Sequence, residues 1–136
     1  MIFRHAFTMI ELIFVIVILG ILAAVALPKF TGSVDQAYLS KAQSKVASIR
    51  MGLSNWRSKA LLKGESLTYP DLNTTPLFNA VAEGETDGTG AGQWHYNATT
   101  GKFEFHTGSA TIVFSYDKDS GKFTCESPTN LCQSFE

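Results

Sequence analysis

"AFTMIELIFVIVILGILAAVALPKF", residues 6–30, carries one carboxylate, Glu11, at the mouth of a run that is otherwise apolar as far as Leu27. From Leu12 to Leu27 no side chain is charged or strongly polar, and with Phe7 to Ile10 the stretch reaches the roughly 20 residues an α-helix needs to cross hydrocarbon. A cleaved secretory signal has similar ingredients, with Ala23, Ala24 and Ala26 as a small-residue cut site. Here the run continues through Pro28 and Lys29 into a long amphipathic segment without a break, which argues against simple removal. A carboxylate inside a membrane helix costs about 2.5 to 3.5 kcal/mol on translocon-based scales, so something should compensate it. One local answer is that Thr8 and Glu11 fit the S/T-x-x-E capping box, while an acid in the first turn complements the helix dipole.

Read together, "A-F-T-M-I-E-L" at the head of such a span resembles the N-terminus of the type IV pilin and type II secretion pseudopilin family. The resemblance is tight over residues 1 to about 30 and looser beyond. It implies a leader, residues 1–6, cut between Ala6 and Phe7 by a membrane-embedded prepilin peptidase that also methylates the new Phe7 amine. Ala6 stands where the family usually has glycine, and alanine is still small enough for a protease to approach. Glu11 then becomes the fifth mature residue. The resemblance implies that its carboxylate meets the N-terminal ammonium of a neighbouring subunit, making Phe7 and Glu11 the assembly pair. Two unit charges at ~4 Å attract by about 4 kcal/mol at an effective dielectric of 20, enough to offset the burial cost. Further implied partners are other copies of the chain, an assembly ATPase and its inner-membrane platform.

Residues 7–30 read as a transmembrane and filament-core helix. Gly20 and Pro28 interrupt it, and proline in a helix interior removes one hydrogen bond, so a kink or a locally extended stretch is expected near Pro28. Residues 31–64 read as an amphipathic helix, because Leu39, Ala42, Val46, Ile49, Leu53, Trp56 and Ala60 recur at steps of three and four, with Gly64 as the C-cap. Packing on a sheet is favoured over a coiled coil.

The 136 residues amount to one domain's worth, with a formal net charge of -1 and 45% hydrophobic residues. That balance hides a basic rod joined to an acidic head. Gln36 to Gly64 holds six basic residues (Lys41, Lys45, Arg50, Arg57, Lys59 and Lys63) and no acid, whereas Glu65 to Glu136 holds ten acids against Lys102, Lys118 and Lys122. The rod's cations fall off the apolar stripe and read as a solvated or subunit-facing face. Nucleic-acid contact is disfavoured, since interleaved aromatics are missing and the acidic head repels a polyanion. Positive-inside counting alone, with Lys29, Lys41 and Lys45 after the span and only Arg4 before it, would keep the head in the cytoplasm. The prepilin pattern and the cysteine pair point instead to an inner-membrane precursor with its head in the periplasm, then an extracellular or periplasmic filament.

Residues 65–136 read as the globular head. Glu65 to Ala80 is a connection containing a short helix, with Thr75 as cap and Pro76 at its first position. "EGETDGTGAG", residues 83–92, is a glycine-rich loop whose Glu83, Glu85 and Asp87 could gather calcium, though solvated acids are commoner. "QWHYN", "KFEFH", "TIVFSY" and "KFTCE", separated by turn signals, alternate as an antiparallel meander. Trp94, Tyr96, Phe103, Phe105, Ile112, Phe114, Tyr116, Phe123 and Cys125 share one face, while His95, Glu104, His106, Ser115 and Thr124 share the other. Cys125 and Cys132 suit a small disulfide-closed loop in an oxidising compartment, with two free cytosolic thiols as the alternative.

The fold class is therefore α+β: a long kinked N-terminal helix packed on a small antiparallel meander. His95, Glu104 and His106 suggest a metal site or an acid/base pair only weakly, since no third ligand or pocket is indicated. Asp117, Asp119 and Gly121 fit a hairpin turn better than a calcium loop, and Asn97-Ala98-Thr99 is a weak sequon. Aromatics along the rod, Phe7, Phe14, Phe30, Tyr38 and Trp56, fit hydrophobic packing better than a conductive path. No nucleophile elbow, phosphate loop or triad is visible, so neither an enzyme nor a cofactor is expected. The reading is a bacterial filament subunit. Its alternatives are a pseudopilin of a secretion or DNA-uptake machine, and a membrane-anchored binding module that never polymerises.

Overall fold

The computed structural model describes residues 7–136, with the backbone alone for 27–31. The expected leader, Met1 to Ala6, lies outside the described residues. The chain divides into two compact units, Met1–Val34 and Asp35–Glu136.

In the first unit, helix α1 (Met9–Lys63) starts where the capping residues place it. The Glu11 amide donates to Thr8 Oγ1 at 3.3 Å, and the Glu11 and Leu12 amides reach the Thr8 carbonyl at 3.1 and 3.3 Å. Met9–Ala26 is long and apolar enough to cross a membrane, with a mean hydropathy of 2.9 and none of it buried. The helix runs on through Gly20 and Pro28, so the locally extended alternative at Pro28 is not what forms. Losing one backbone hydrogen bond to proline leaves the flanking turns intact, and a helix absorbs that loss without unwinding.

In the second unit, the apolar stripe of α1 goes where its periodicity directs it. Ala42, Val46, Ile49, Leu53 and Ala60 are buried and Leu39 is half-buried. Trp56 departs from the stripe: its ring is 39% exposed and its Nε1 donates to the Thr68 carbonyl at 3.0 Å. An indole needs a partner for its N–H, and the chain leaving α1 supplies one at the surface.

Four strands, β1 (Trp94–Asn97), β2 (Lys102–His106), β3 (Thr111–Asp117) and β4 (Lys122–Ser127), pair antiparallel in sequential order. The register sets Trp94 opposite Phe105, Phe105 opposite Ile112, Phe103 opposite Phe114, and Tyr116 opposite Phe123. Because side chains alternate across a strand, this register puts the aromatics on one face. Trp94, Phe103, Phe105, Ile112, Phe114 and Phe123 are buried, and Tyr96, Tyr116 and Cys125 pack at their margin. Each such burial contributes about 1.5 to 3 kcal/mol.

The segment before the sheet overturns one expectation. No helix follows Thr75 and Pro76; instead Leu77 bridges Glu85, and the Phe78 carbonyl accepts from the Val81 and Ala82 amides in a tight turn. Phe78 takes φ 64°, a costly conformation for a bulky residue, and its ring is fully buried. It stacks edge-on against Trp94 at 5.1 Å and lies 5.0 Å from Phe103. Seating Phe78 outweighs the local cap-and-proline signal. Nearby, the Tyr116 hydroxyl donates to the Pro70 carbonyl at 2.9 Å, and burial, then the Asp71 carboxylate, pushes that phenol up to about 12.

A second expectation is met only in part. Lys41 and Arg50 stay exposed, as on a solvated face, but three of the rod's cations also reach back to head carbonyls. Lys41 Nζ donates to Gly92 at 2.7 Å, Lys45 Nζ to Glu83 at 3.0 Å, and Arg50 to Phe123 and Phe135. Irregular loops expose carbonyls that need donors, and long cationic side chains flanking the stripe are within reach of them.

After β4, helix α2 (Thr129–Cys132) and a final turn (Gln133–Phe135) close the head, and the Cys125–Cys132 disulfide ties them to β4 with a Cα–Cα distance of 5.4 Å. Phe135 is thereby seated edge-on against Phe114 at 5.1 Å. Closing so short a loop is worth about 2.5 kcal/mol in the chain-entropy model. A Cys125→Ser, Cys132→Ser double variant is expected to be about 2 kcal/mol less stable in denaturant titration. An unchanged midpoint would show that the bridge contributes nothing.

Candidate functional site

The start of α1 places Phe7 and Glu11 within one helical turn of the N-cap, and both are exposed. The Phe7 ring is 75% exposed. The Glu11 carboxylate has no ion pair or side-chain hydrogen bond among the described residues, since only its backbone amide is used by the cap. Beyond it, Ile13, Phe14, Val17 and Leu22 continue an apolar surface with nothing packed on it. A single unpartnered anion at the tip of an uncovered apolar rod calls for two things from outside the chain, a cation and an apolar surround.

The head's candidate groups are dispersed among private partners. Glu85 pairs with Lys45 at 2.9 Å, Asp87 pairs with His95 at 2.7 Å, and Glu83 offers only its carbonyl to Lys45. The three acids considered for calcium are therefore not gathered, and no cluster of three or more His, Cys, Asp or Glu exists among the described residues. The register sets His95 opposite Glu104, but Glu104 accepts from Asn97 Nδ2 at 3.0 Å and His106 Nδ1 contacts Thr111 Oγ1 at 3.0 Å, and His95, Glu104 and His106 form no metal-binding group among the described residues. Asn97 serves a turn, its Oδ1 accepting from the Thr99 and Thr100 amides. Asp117 caps the β3–β4 hairpin as expected: the Ser120 hydroxyl first, then the Asp119 amide, holds its carboxyl below the usual carboxylate range. Ring contacts among the described residues all lie within the head, where Phe78 joins Trp94 and Phe103, and none links Phe7, Phe14, Tyr38 and Trp56. The Phe30 side chain lies outside the described residues.

The anchoring roles of Lys41, Lys45 and Arg50, and the turn built around Phe78, escaped the sequence reading. No local signal marks them, because each depends on a carbonyl or a cavity contributed by a distant part of the chain.

Comparison with known proteins converges on the same end of the molecule. Residues 1–27 match the family described as the prokaryotic N-terminal methylation motif. The type IV major alpha-pilin of Moraxella bovis is 31% identical, over 90% of this chain and 85% of its own. A fimbrial protein of Pseudomonas aeruginosa is 29% identical over 87% of this chain and 71% of its own. The type IV narrow pilus major component of Thermus thermophilus is 32% identical over 57% of this chain and 80% of its own. No solved structure matches the chain. An N-terminal methylation motif, an uncovered apolar helix with its lone acid, and similarity to a major pilin over 90% of this chain coincide, and the chain belongs to the type IV pilin family.

Proposed function

We propose that this chain is the structural subunit of a type IV pilus-like filament, stored in the inner membrane with its head in the periplasm and polymerised through the first half of α1. The observation that carries this reading is the Glu11 carboxylate, unpaired among the described residues, at the start of an apolar span that is uncovered among them. Cleavage between Ala6 and Phe7 frees an ammonium at Phe7, which N-methylation leaves positively charged. In the filament that ammonium of one subunit sits beside Glu11 of the next, and the pair registers each arriving copy. At ~4 Å the attraction is about 4 kcal/mol at an effective dielectric of 20, more than the carboxylate's burial costs. The apolar surface of Met9–Ala26 exchanges lipid for other copies of itself. Gly20 inside the apolar span and Pro28 just past it are the weak points of the helix, where it can bend.

Extraction from the bilayer requires work, and an assembly ATPase acting through an inner-membrane platform is the class of machine that supplies it. Similarity to major pilins supports a pilus rather than a secretion machine. A DNA-uptake role gains little support from the rod, where Lys41 and Lys45 bond to head carbonyls and Lys63 pairs with Glu65. The processing step is tested by N-terminal sequencing of filaments sheared from cells. The expected first residue is Phe7; polymer that still begins at Met1 would refute cleavage as a condition of assembly.

A further inference from the structure

Between α1 and the β3–β4 hairpin lies an open cleft of about 440 Å³, within the size range of small-ligand sites. Its charged lining is cationic throughout: Arg50 and Arg57 from α1, one helical heptad apart, and Lys122 from the start of β4. No carboxylate lines it. Arg57 and Lys122 make no hydrogen bond or ion pair among the described residues, unlike Lys41, Lys45, Lys102 and Lys118, which all have partners. Asp117 stands opposite Lys122 in the β3–β4 register, and its carboxylate accepts from the Ser120 hydroxyl and the Asp119 amide.

Tyr69 adds an independent indication. It is only 5% exposed, yet it lines the cleft and its hydroxyl has no hydrogen-bond partner among the described residues. Gly121 sits at φ 68° with no side chain, and a Cβ there would lie 2.3 Å from Tyr69 Cε1, so the hairpin is built to let that ring in. Arg50 is held in place by the Phe123 and Phe135 carbonyls, which fixes one guanidinium before any ligand arrives. Two guanidiniums, an ammonium and a phenol lining one cleft that no carboxylate lines are what a planar or tetrahedral oxyanion recognises.

We propose that this cleft is a binding site for a compact oxyanion, the phosphate or carboxylate group of a small ligand, recognised by Arg50, Arg57, Lys122 and the Tyr69 hydroxyl. The site belongs to the head and does not depend on the filament reading. One shared chemistry has two sources, a free inorganic anion or an acidic sugar, and the experiment separates them.

The full-length protein in neutral detergent is titrated with inorganic phosphate, glucose 6-phosphate, glucuronate and uncharged glucose, following the Ser120 and Gly121 amide resonances. Saturable shifts with at least one anion and none with glucose are expected. Phosphate alone would identify the free anion, and tighter binding of either sugar derivative would identify the sugar-borne group. Each charge-assisted hydrogen bond lost should weaken binding about tenfold, so Arg57→Gln and Lys122→Gln are each expected to fall by at least that factor. Both side chains are exposed and unbonded, so thermal unfolding should stay unchanged, confirming that the fold is intact. Lys59→Gln, an unpartnered cation of the same helix outside this cleft, should bind as the parent does. Shifts that never saturate would overturn the proposal. So would an equal loss in Lys59→Gln, or a DNA oligonucleotide whose binding depends on Lys59 as much as on Arg57, because either marks diffuse attraction to a basic helix.

Discussion

Replacing Glu11 by alanine is expected to abolish incorporation of the subunit into filaments while leaving the precursor in the membrane. The substitution removes the only ionised group of Met9–Ala26, so insertion becomes easier by about 2.5 to 3.5 kcal/mol. Under the proposed charge pair it leaves the neighbour's ammonium in an apolar surround with no partner, and breaking one side of a buried pair costs about 3 to 5 kcal/mol. A loss of that size is at least a hundredfold in the association equilibrium at each added subunit. Glu11→Gln sharpens the test, because it retains length and polarity. The cap depends on the Glu11 backbone amide and Thr8 Oγ1, not on the side chain, so helix initiation survives both changes. Immunoblots of the sheared and membrane fractions measure the outcome. Parental filament yield from Glu11→Ala would remove the charge pair from the assembly mechanism and favour a membrane-anchored module or a purely apolar polymer.

A second substitution should be felt in the head alone. Gly52 lies in the middle of α1, where helix propensity predicts that alanine stabilises by about 1 kcal/mol. Its environment reverses the sign. A Cβ at Gly52 would lie 1.9 Å from the Val81 carbonyl oxygen and 2.7 Å from its carbon, and backbone cannot swing aside as a flexible side chain does. Val81 belongs to the turn whose amides bond to Phe78, so moving it disturbs the residue that joins Trp94 and Phe103. Gly52→Ala is expected to destabilise by about 3 kcal/mol and lower Tm by roughly 10 °C. Gly32, in the same helix with nothing within 4 Å of its built Cβ, is the contrast: Gly32→Ala should leave Tm unchanged or raised. Thermal unfolding followed by circular dichroism compares the two. Equal behaviour of both variants would mean that the Val81 turn yields freely.

Much of the molecule was legible in one dimension because its signals are periodic. The steps of three and four from Leu39 to Ala60 predicted the buried stripe, and the alternation from Trp94 to Cys125 predicted both the strands and their aromatic face. Turn residues separated the strands correctly, since a glycine after Asn97-Ala98-Thr99-Thr100 or Asp117 to Ser120 accepts the positive φ seen at Gly101 and Gly121. The short helix expected within Glu65 to Ala80 was misread for the opposite reason. That segment has no period, its local cap-and-proline cue is weak, and its course follows the burial of Leu72, Leu77 and Phe78 in the core. The cations were read only in part for a related reason: absence from the apolar stripe indicates solvent, which Lys41 and Arg50 do face, but the carbonyls that Lys41, Lys45 and Arg50 also bond lie 51, 38 and at least 73 residues away.

By itself, the order of residues determined the family signature at Phe7 and Glu11, the apolar span, the helical stripe, the four strands and the paired cysteines. All are local or periodic features whose energetics act within a few neighbouring positions. Tertiary structure alone decided which cations anchor loops, why Gly52 is needed, how Phe78 enters the core, and which charges line the cleft beside Tyr69. Each of these depends on the distance between chain segments far apart in sequence, and such distances exist only once the sheet has closed on the helix.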